Sequence, residues 1–275
     1  MTVPLSGHTT VTGIIGEPVT HSRSPAIHNA AYQAVGLDWV YVAFPVAVGA
    51  VGDALVGLAV LGAAGCNVTM PHKAEAARAC DELDRGAAAL GVVNTVVTRP
   101  GCLVGSSTDG EGFVDAAREA QVPLEGAAVL VVGAGGAARA ITHALGAAGA
   151  RIVVAARRPD AAAEVATLAG DARAVALDAL APELAASDVV VNATPLGMLG
   201  ERPPFDRAGL HAGQVVIDTV YAPPETPLLA AARERGVRAL NGLGMLVHQA
   251  ARSFTLLTGH PAPLEVMWAA ARGDA

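Results

Sequence analysis

The chain has 275 residues, enough for one large domain or two of ordinary size, and 52% of it is hydrophobic while only 3% is aromatic. Such a composition favours Ala-rich helices packed on Val-rich strands. The net charge of −7 argues against nucleic-acid binding, which needs a basic face. Three cysteines, Cys66, Cys80 and Cys102, form no CxxC pair and are odd in number, so the reading is no disulfide framework and a reducing cytoplasm. Eight histidines lack HExxH or another ligand spacing, and no metal is expected. No Lys or Arg precedes Arg23, so no signal-peptide n-region is expected. Residues 54–71 carry no charge over about the length of a membrane span, but their glycines, Asn67, Thr69 and Pro71 read as a helix followed by a buried strand.

In chain order, "VTGIIG" reads as a short buried strand ending at Gly16. "SPAIHNAAYQAVG" reads as a helix that Ser24 can cap, with Pro25 in its first turn and Gly36 as its stop. "WVYVAFPV" is β-rich, "VGDALVGLAVLGAAG" helical, "CNVT" a short strand and "KAEAARACDEL" a helix. "GVVNTVVT" and "CLVGSS" form a strand pair around Pro100-Gly101. From about Gly126 the rhythm becomes regular. "AAVLVVGAGGAARAITHALGAAG" is strand, glycine turn and helix, and "ARIVVAARRPDAAAEVATLAG" repeats the unit. "DVVVNATPLGM" and "QVVIDTVYAPP" are further buried strands running into turns. The alternation predicts a doubly wound parallel sheet with helices on both faces. The last ~30 residues read as two helices that can return to the first domain.

"VLVVGAGGAARA" sets Gly133, Gly135 and Ala138 in the G-x-G-x-x-A form, after a strand and opening a helix. Gly133 suits the tight turn, Gly135 lets backbone amides approach a pyrophosphate, and Ala138 lets the helix pack closely on the strand. About twenty residues on, where an acid would hold the ribose diol of NAD, the chain has Arg157-Arg158; two guanidiniums and no acid either match a 2′-phosphate, which selects NADP, or are a solvated pair at a helix start. Lys73, the only lysine, starts a helix after Pro71-His72. It reads either as a solvated charge or as a group whose pKa burial can bring toward neutrality, able to exchange a proton where Arg cannot. Asp109 in "STDGEGF" is either a helix cap or a site carboxylate. Ser22 and Ser24 in "THSRSP" either cap a helix or bind a small carboxylate.

Taken together, "GEPVTHSRSPAIHN", "NVTMPHK", "GVVNT", "STDGEGF", "GAGGAARA", "NATPLGM", "DTVYAPPETPLL" and "GLGMLVHQAARSF" resemble, in order and over nearly the whole chain, the shikimate/quinate dehydrogenase family, most closely its NADP-dependent members. The resemblance implies two α/β domains joined by a cleft. Residues 1–108 and 243–275 would form the substrate domain, and residues 109–242 a Rossmann-like NADP domain. It also implies reversible NADPH-dependent reduction of 3-dehydroshikimate to shikimate in aromatic amino-acid biosynthesis. Lys73 and Asp109 would be the catalytic pair. Ser22 and Ser24 would bind the substrate carboxylate, Thr69, Asn94, Asp109 and Gln249 the ring hydroxyls, and Tyr221 would line the pocket. Gly133, Ala134, Gly135, Gly136, Ala137, Arg157 and Arg158 would meet the cofactor phosphates, with Thr219 and Gly242 near the nicotinamide. The partners implied are small molecules only, without nucleic acid or membrane, for a monomer or homodimer. Two departures stand out. The family usually has Asn-Thr-Asp at Ser107-Thr108-Asp109, and Asn-Arg-Thr at Ala156-Arg157-Arg158. Two alternatives are a quinate or quinate/shikimate dehydrogenase working catabolically, which favours an acid at the second strand end, and a non-catalytic NADPH/shikimate sensor, which favours a decayed Lys/Asp pair.

Overall fold

The computed structural model describes residues 5–203, 205 and 207–273, the side chain of Arg207 excepted. The chain divides into two units, Met1–Thr108 with Val247–Ala275, and Asp109–Leu246.

In the first unit, β1 (Thr10–Gly16) pairs in parallel with β2 (Trp39–Pro45) on one side and β3 (Gly65–Val68) on the other. β4 (Glu82–Leu83) runs parallel to β6 (Cys102–Ser106), and β5 (Thr95–Arg99) lies between β3 and β6, antiparallel to both. The order is β2-β1-β3-β5-β6-β4, so the hairpin expected at Pro100-Gly101 supplies the antiparallel part of a mixed sheet. Its two faces differ in chemistry because side chains alternate along each strand. Ile15, Cys66, Val68 and Val96 face one way, packed against Val51 and Leu55 of α2 (Val51–Val60), Ala76 of α3 (Lys73–Ala79) and Ala87 of α4 (Arg85–Leu90). Thr12, Tyr41, Asn67 and Thr95 face the other way. They meet Tyr32 of α1 (Ser24–Ala34) and Ser253 of α10 (Leu243–Thr258) through hydrogen bonds. The two C-terminal helices do return to this unit: Arg23 donates to the carbonyl of Ala271 in α11 (Leu264–Arg272) at 2.6 Å. The division between units falls inside α10, whose first residue is the expected start of the returning segment.

The second unit is the doubly wound part. Six strands run parallel in the order β12-β11-β10-β7-β8-β9. They are β7 (Ala128–Val132), β8 (Arg151–Ala156), β9 (Ala172–Ala176), β10 (Val189–Asn192), β11 (Val215–Asp218) and β12 (Arg238–Leu240). Val129 and Val131 of β7 pack with Phe113 of α5 (Asp109–Glu119), Ile141 of α6 (Gly136–Ala147) and Val165 of α7 (Pro159–Ala166). Leu130 and Val132, one residue out of phase, pack with Leu180 and Leu184 of α8 (Leu180–Ala186) and Leu228 and Leu229 of α9 (Pro227–Glu234). A strand buried on both faces has no polar phase, which is why "AVLVV" is a continuous apolar run.

Two local expectations change. Ser24 does not cap α1 but begins it, and the Ser22 hydroxyl accepts the Ser24 N–H at 3.2 Å. The helix read across "KAEAARACDEL" ends at Ala79, because Glu82-Leu83 turns extended to pair with Val104 and Gly105. The uncharged stretch 54–71 is the end of α2 followed by β3, as its glycines predict, and no described helix is long and apolar enough to cross a membrane.

Candidate active site

In the first unit the residues singled out from sequence sit at the carboxyl ends of β1 and β3 and on the α10 face. The Thr69 N–H donates to Ile15 at 2.8 Å, and the N–H of Glu17 to Met70 at 3.1 Å, so the turn carrying "NVTMPHK" is sewn to the end of β1. The His72 N–H returns to the Thr69 carbonyl at 3.0 Å, which sets Thr69 and Lys73 on one turn, with Lys73 the first residue of α3. Buried His72 bonds the Val46 carbonyl through Nε2 at 2.8 Å, anchoring this turn to the end of β2. Lys73 is partly exposed, and its own carbonyl accepts from Val93 at 3.0 Å.

Asn94 is 3% exposed and is held at both ends of its amide. Its Oδ1 accepts the Thr108 N–H at 2.9 Å, and its Nδ2 donates to the Thr108 hydroxyl at 2.9 Å and to Gln249 Oε1 at 3.3 Å. Asn94 and Gln249, 155 residues apart in sequence, therefore meet. Behind them lies a second layer that the sequence reading missed. Asn67 Nδ2 donates to Thr95 Oγ1 at 3.0 Å, to Ser253 Oγ at 2.9 Å and to the Asn94 carbonyl at 3.0 Å, while its Oδ1 accepts the Tyr41 hydroxyl at 2.7 Å. Buried amides that satisfy both ends in this way fix their own orientation and that of their neighbours. A side-chain bond from Ser24 also reaches Tyr41, linking the Ser22/Ser24 turn to the same network; burial holds the Tyr41 hydroxyl well above its ordinary range. The only signal of this layer in the sequence is that Asn67 opens the quoted "NVTMPHK" motif.

In the second unit the Gly-rich turn takes its expected place between β7 and α6. Gly133 has φ 133°, and a Cβ there would lie 2.7 Å from the Ala193 carbonyl, so the turn needs glycine. Gly135 precedes α6, and a Cβ there would meet nothing within 4 Å: the surface above it is open to a ligand, and the free N–H groups of the helix start lie beside it. Ala138 is a fully buried residue of α6, Ala134 lies in the turn, and Gly136 and Ala137 open the helix. Arg157 and Arg158 follow β8, both exposed, and neither guanidinium joins an ion pair among the described residues. Neighbouring Ala156 is buried, so the cationic edge belongs to the arginines alone. These features suit a dinucleotide carrying a 2′-phosphate.

Asp109 is 5% exposed and is the first residue of α5, directly after Thr108. Ser107 departs from the family pattern, and its hydroxyl is buried without a hydrogen-bond partner. At the far side of the sheet Thr219 and Gly242 touch: a Cβ on Gly242 would sit 2.0 Å from the Thr219 carbonyl, and the Gly242 N–H donates to Val220 at 3.0 Å. Tyr221 is partly exposed on the loop leaving β11. Among the described residues no three His, Cys, Asp or Glu side chains gather as a metal site.

Three family models match the chain. The shikimate dehydrogenase substrate binding domain covers residues 14–96, the shikimate / quinate 5-dehydrogenase model residues 115–197, and the shikimate 5′-dehydrogenase C-terminal domain residues 242–272. The chain is 44% identical to a shikimate dehydrogenase (NADP(+)) of Methanopyrus kandleri, over 97% of this chain and 96% of the relative. A shikimate dehydrogenase solved with NADP+ superposes at a TM-score of 0.93, with 35% identity, over 100% of this chain and 98% of that one. A Thermus thermophilus shikimate 5-dehydrogenase solved with NADP(H) and shikimate does so at 0.89, with 34% identity, over 97% and 100%. With near-complete coverage at this identity, and with the Gly-rich turn and the motif residues placed as described, the chain belongs to the shikimate dehydrogenase family.

Proposed function

We propose that this protein reduces 3-dehydroshikimate reversibly to shikimate with NADPH, the reductive step of aromatic amino-acid biosynthesis, working on small molecules in the cytoplasm. The observation that carries the reading is the pairing of an open Gly-rich turn with two exposed arginines at the end of the next strand. Gly133, Ala134, Gly135, Gly136 and Ala137 receive the pyrophosphate, and Arg157 and Arg158 the 2′-phosphate, in the unit 109–246. Bound NADPH supplies the hydride that converts the ring ketone to an alcohol.

In the other unit, Ser22 and Ser24 hold the substrate carboxylate on the turn they share with the start of α1. Thr69, Asn94 and Gln249 receive ring hydroxyls; Asp109, the first residue of the unit 109–246, is a further hydroxyl ligand, and Tyr221 of that unit is a pocket-lining side chain. Asn94 and Gln249 are preset for this by the Thr108 and Asn67 bonds behind them. A site built on hydroxyl recognition rejects analogues that lack those hydroxyls, because its own polar groups would be left unpaired. Lys73 delivers the proton to the developing alkoxide and Asp109 supports that transfer. Arg157 disfavours an NAD-linked quinate dehydrogenase, and the presence of both Lys73 and Asp109 disfavours a non-catalytic sensor.

The test is a matrix of purified protein with 3-dehydroshikimate or 3-dehydroquinate, each with NADPH or NADH. The 3-dehydroshikimate/NADPH pair should give the highest kcat/KM. A preference for 3-dehydroquinate with NADH would replace the reading with its catabolic alternative, and inactivity in all four arms would support the sensor.

A further inference from the structure

We propose that Asp218 is a positioning residue: it locks the loops after β10 and β11 into the surface that seats the nicotinamide half of the cofactor. The inference rests on the dinucleotide reading above. From β7 the chain winds outward through β8 and β9, then crosses to the other side of β7 and lays down β10, β11 and β12. Ligands of such sheets lie across the carboxyl ends at the point where the winding reverses, here between β7 and β10. With the pyrophosphate on the β7 turn and the 2′-phosphate at β8, the adenosine half occupies the β8 side. The other half of the dinucleotide falls over the ends of β10 and β11.

At those ends Asn192 and Asp218 are register partners, and Asp218 is completely buried. Its Oδ1 accepts from Asn192 Nδ2 at 2.9 Å and from the Val220 N–H at 3.0 Å; its Oδ2 accepts the Thr226 hydroxyl at 2.7 Å. Each donor belongs to a different segment. Asn192 also donates to the Leu196 carbonyl at 3.1 Å and accepts the Thr194 hydroxyl at 2.6 Å, which shapes the loop after β10. The Val220 N–H fixes the loop after β11, whose Thr219 carbonyl rests against Gly242. Thr226 caps α9 by accepting the Leu229 N–H at 3.3 Å. One carboxylate therefore ties together two loops and a helix start.

Burying a carboxylate is costly even with donors, and burial pushes the Asp218 carboxyl above its ordinary range despite the three bonds. An apolar side chain would fill the same volume without that cost, but it would leave the two loops untied. Supplying a fixed loop geometry is what the carboxylate adds.

Asp218→Asn keeps the shape. Its oxygen can still face Asn192 and Val220, but its amino group can only donate to Thr226, so the Thr226 hydroxyl proton loses its acceptor and the node is weakened, while Thr226 retains a lone pair for Leu229. A second variant, Thr226→Val, removes one donor from the same carboxylate and leaves Asp218 in place. Two ligands separate the halves of the cofactor: NADPH, and adenosine 2′,5′-bisphosphate, which lacks the nicotinamide. In Asp218→Asn the Kd for NADPH should rise roughly fivefold while that for the bisphosphate stays within about twofold, as expected for weakening of one buried hydrogen-bond node. Thr226→Val should shift the two ligands in the same unequal way. Equal weakening of both ligands would mean a merely structural role, and no change in either would mean the loops hold without the node; each result overturns the inference. Neither binding measurement uses the substrate. A wild-type protein that failed to reduce 3-dehydroshikimate would thus count against the proposed reaction and leave this comparison decisive on its own.

Discussion

Lys73 stands alone among 18 basic residues, at the first position of α3, on the same turn as Thr69. Arg at this position keeps the charge and the donor capacity but cannot release a proton near neutrality. Lys73→Arg and Lys73→Ala should therefore both lower kcat by roughly a thousandfold, the scale of general acid catalysis, with shikimate affinity within about tenfold of the wild type. Stopped-flow rates and equilibrium titration check the two halves; an arginine variant that kept most of its rate would remove Lys73 as the proton source. His28 poses a different problem. It lies fully buried in α1, stacked at 4.3 Å on Tyr41, with neither ring nitrogen hydrogen-bonded. Burial pushes its pKa down from 6.5 to about 3. The folded imidazole refuses a proton that the unfolded chain accepts, so its contribution to stability is whole above about pH 6.5 and is lost as the pH falls toward 3. That loss is on the order of 5 kcal/mol across the window. His28→Phe keeps the stack and removes the titration, so urea midpoints at pH 7 and pH 4 should lie closer together than in the wild type. An unchanged gap would place the acid sensitivity elsewhere.

Among the elements, β8 is where sequence and chemistry meet most directly. Its last residue, Ala156, is buried, and the arginines that follow are exposed, outside any ion pair among the described residues. Arg157→Ala should raise the Kd for NADPH roughly 10- to 100-fold, the cost of a lost charge-assisted contact, and that for NADH by less than about threefold. Fluorescence titration of both cofactors decides; parallel losses would remove the 2′-phosphate assignment. The strands carrying this chemistry are legible because they are interior: β7, β10 and β11 read as unbroken Val, Ile and Leu runs, since both faces are covered. The elements that escape such a reading are short or lie at edges. β4 has two residues and β12 three, β9 is "ARAVA" with two exposed positions, and α9 begins at Pro227, the last residue of a Pro-rich stretch that starts at 222. Local periodicity carries little information where the apolar run is that short. The same limit applies to Ser24. It is a good capping residue by type, yet the Ser22 hydroxyl, two residues earlier, takes the N–H bond.

Across the molecule, two sheets of different logic are strung on one chain. One is mixed, with a polar network on one face; the other is wholly parallel with apolar faces on both sides. The change of rhythm near Gly126 marks the second sheet, and the quoted motifs mark the residues that end strands or begin helices. The layer behind them is not readable from sequence. Asn67, Thr95, Thr108 and Ser253 join through contacts spanning up to 186 residues, and Asp218 matters through donors from three segments that no local pattern connects. In the proposed reaction NADPH transfers hydride directly to the ketone of 3-dehydroshikimate. The protein, supplied with NADPH deuterated at the transferable C4 position, should convert 3-dehydroshikimate to shikimate carrying one deuterium on the new carbinol carbon, one for each cofactor oxidised. Shikimate formed without deuterium, or cofactor oxidised without shikimate, would contradict it.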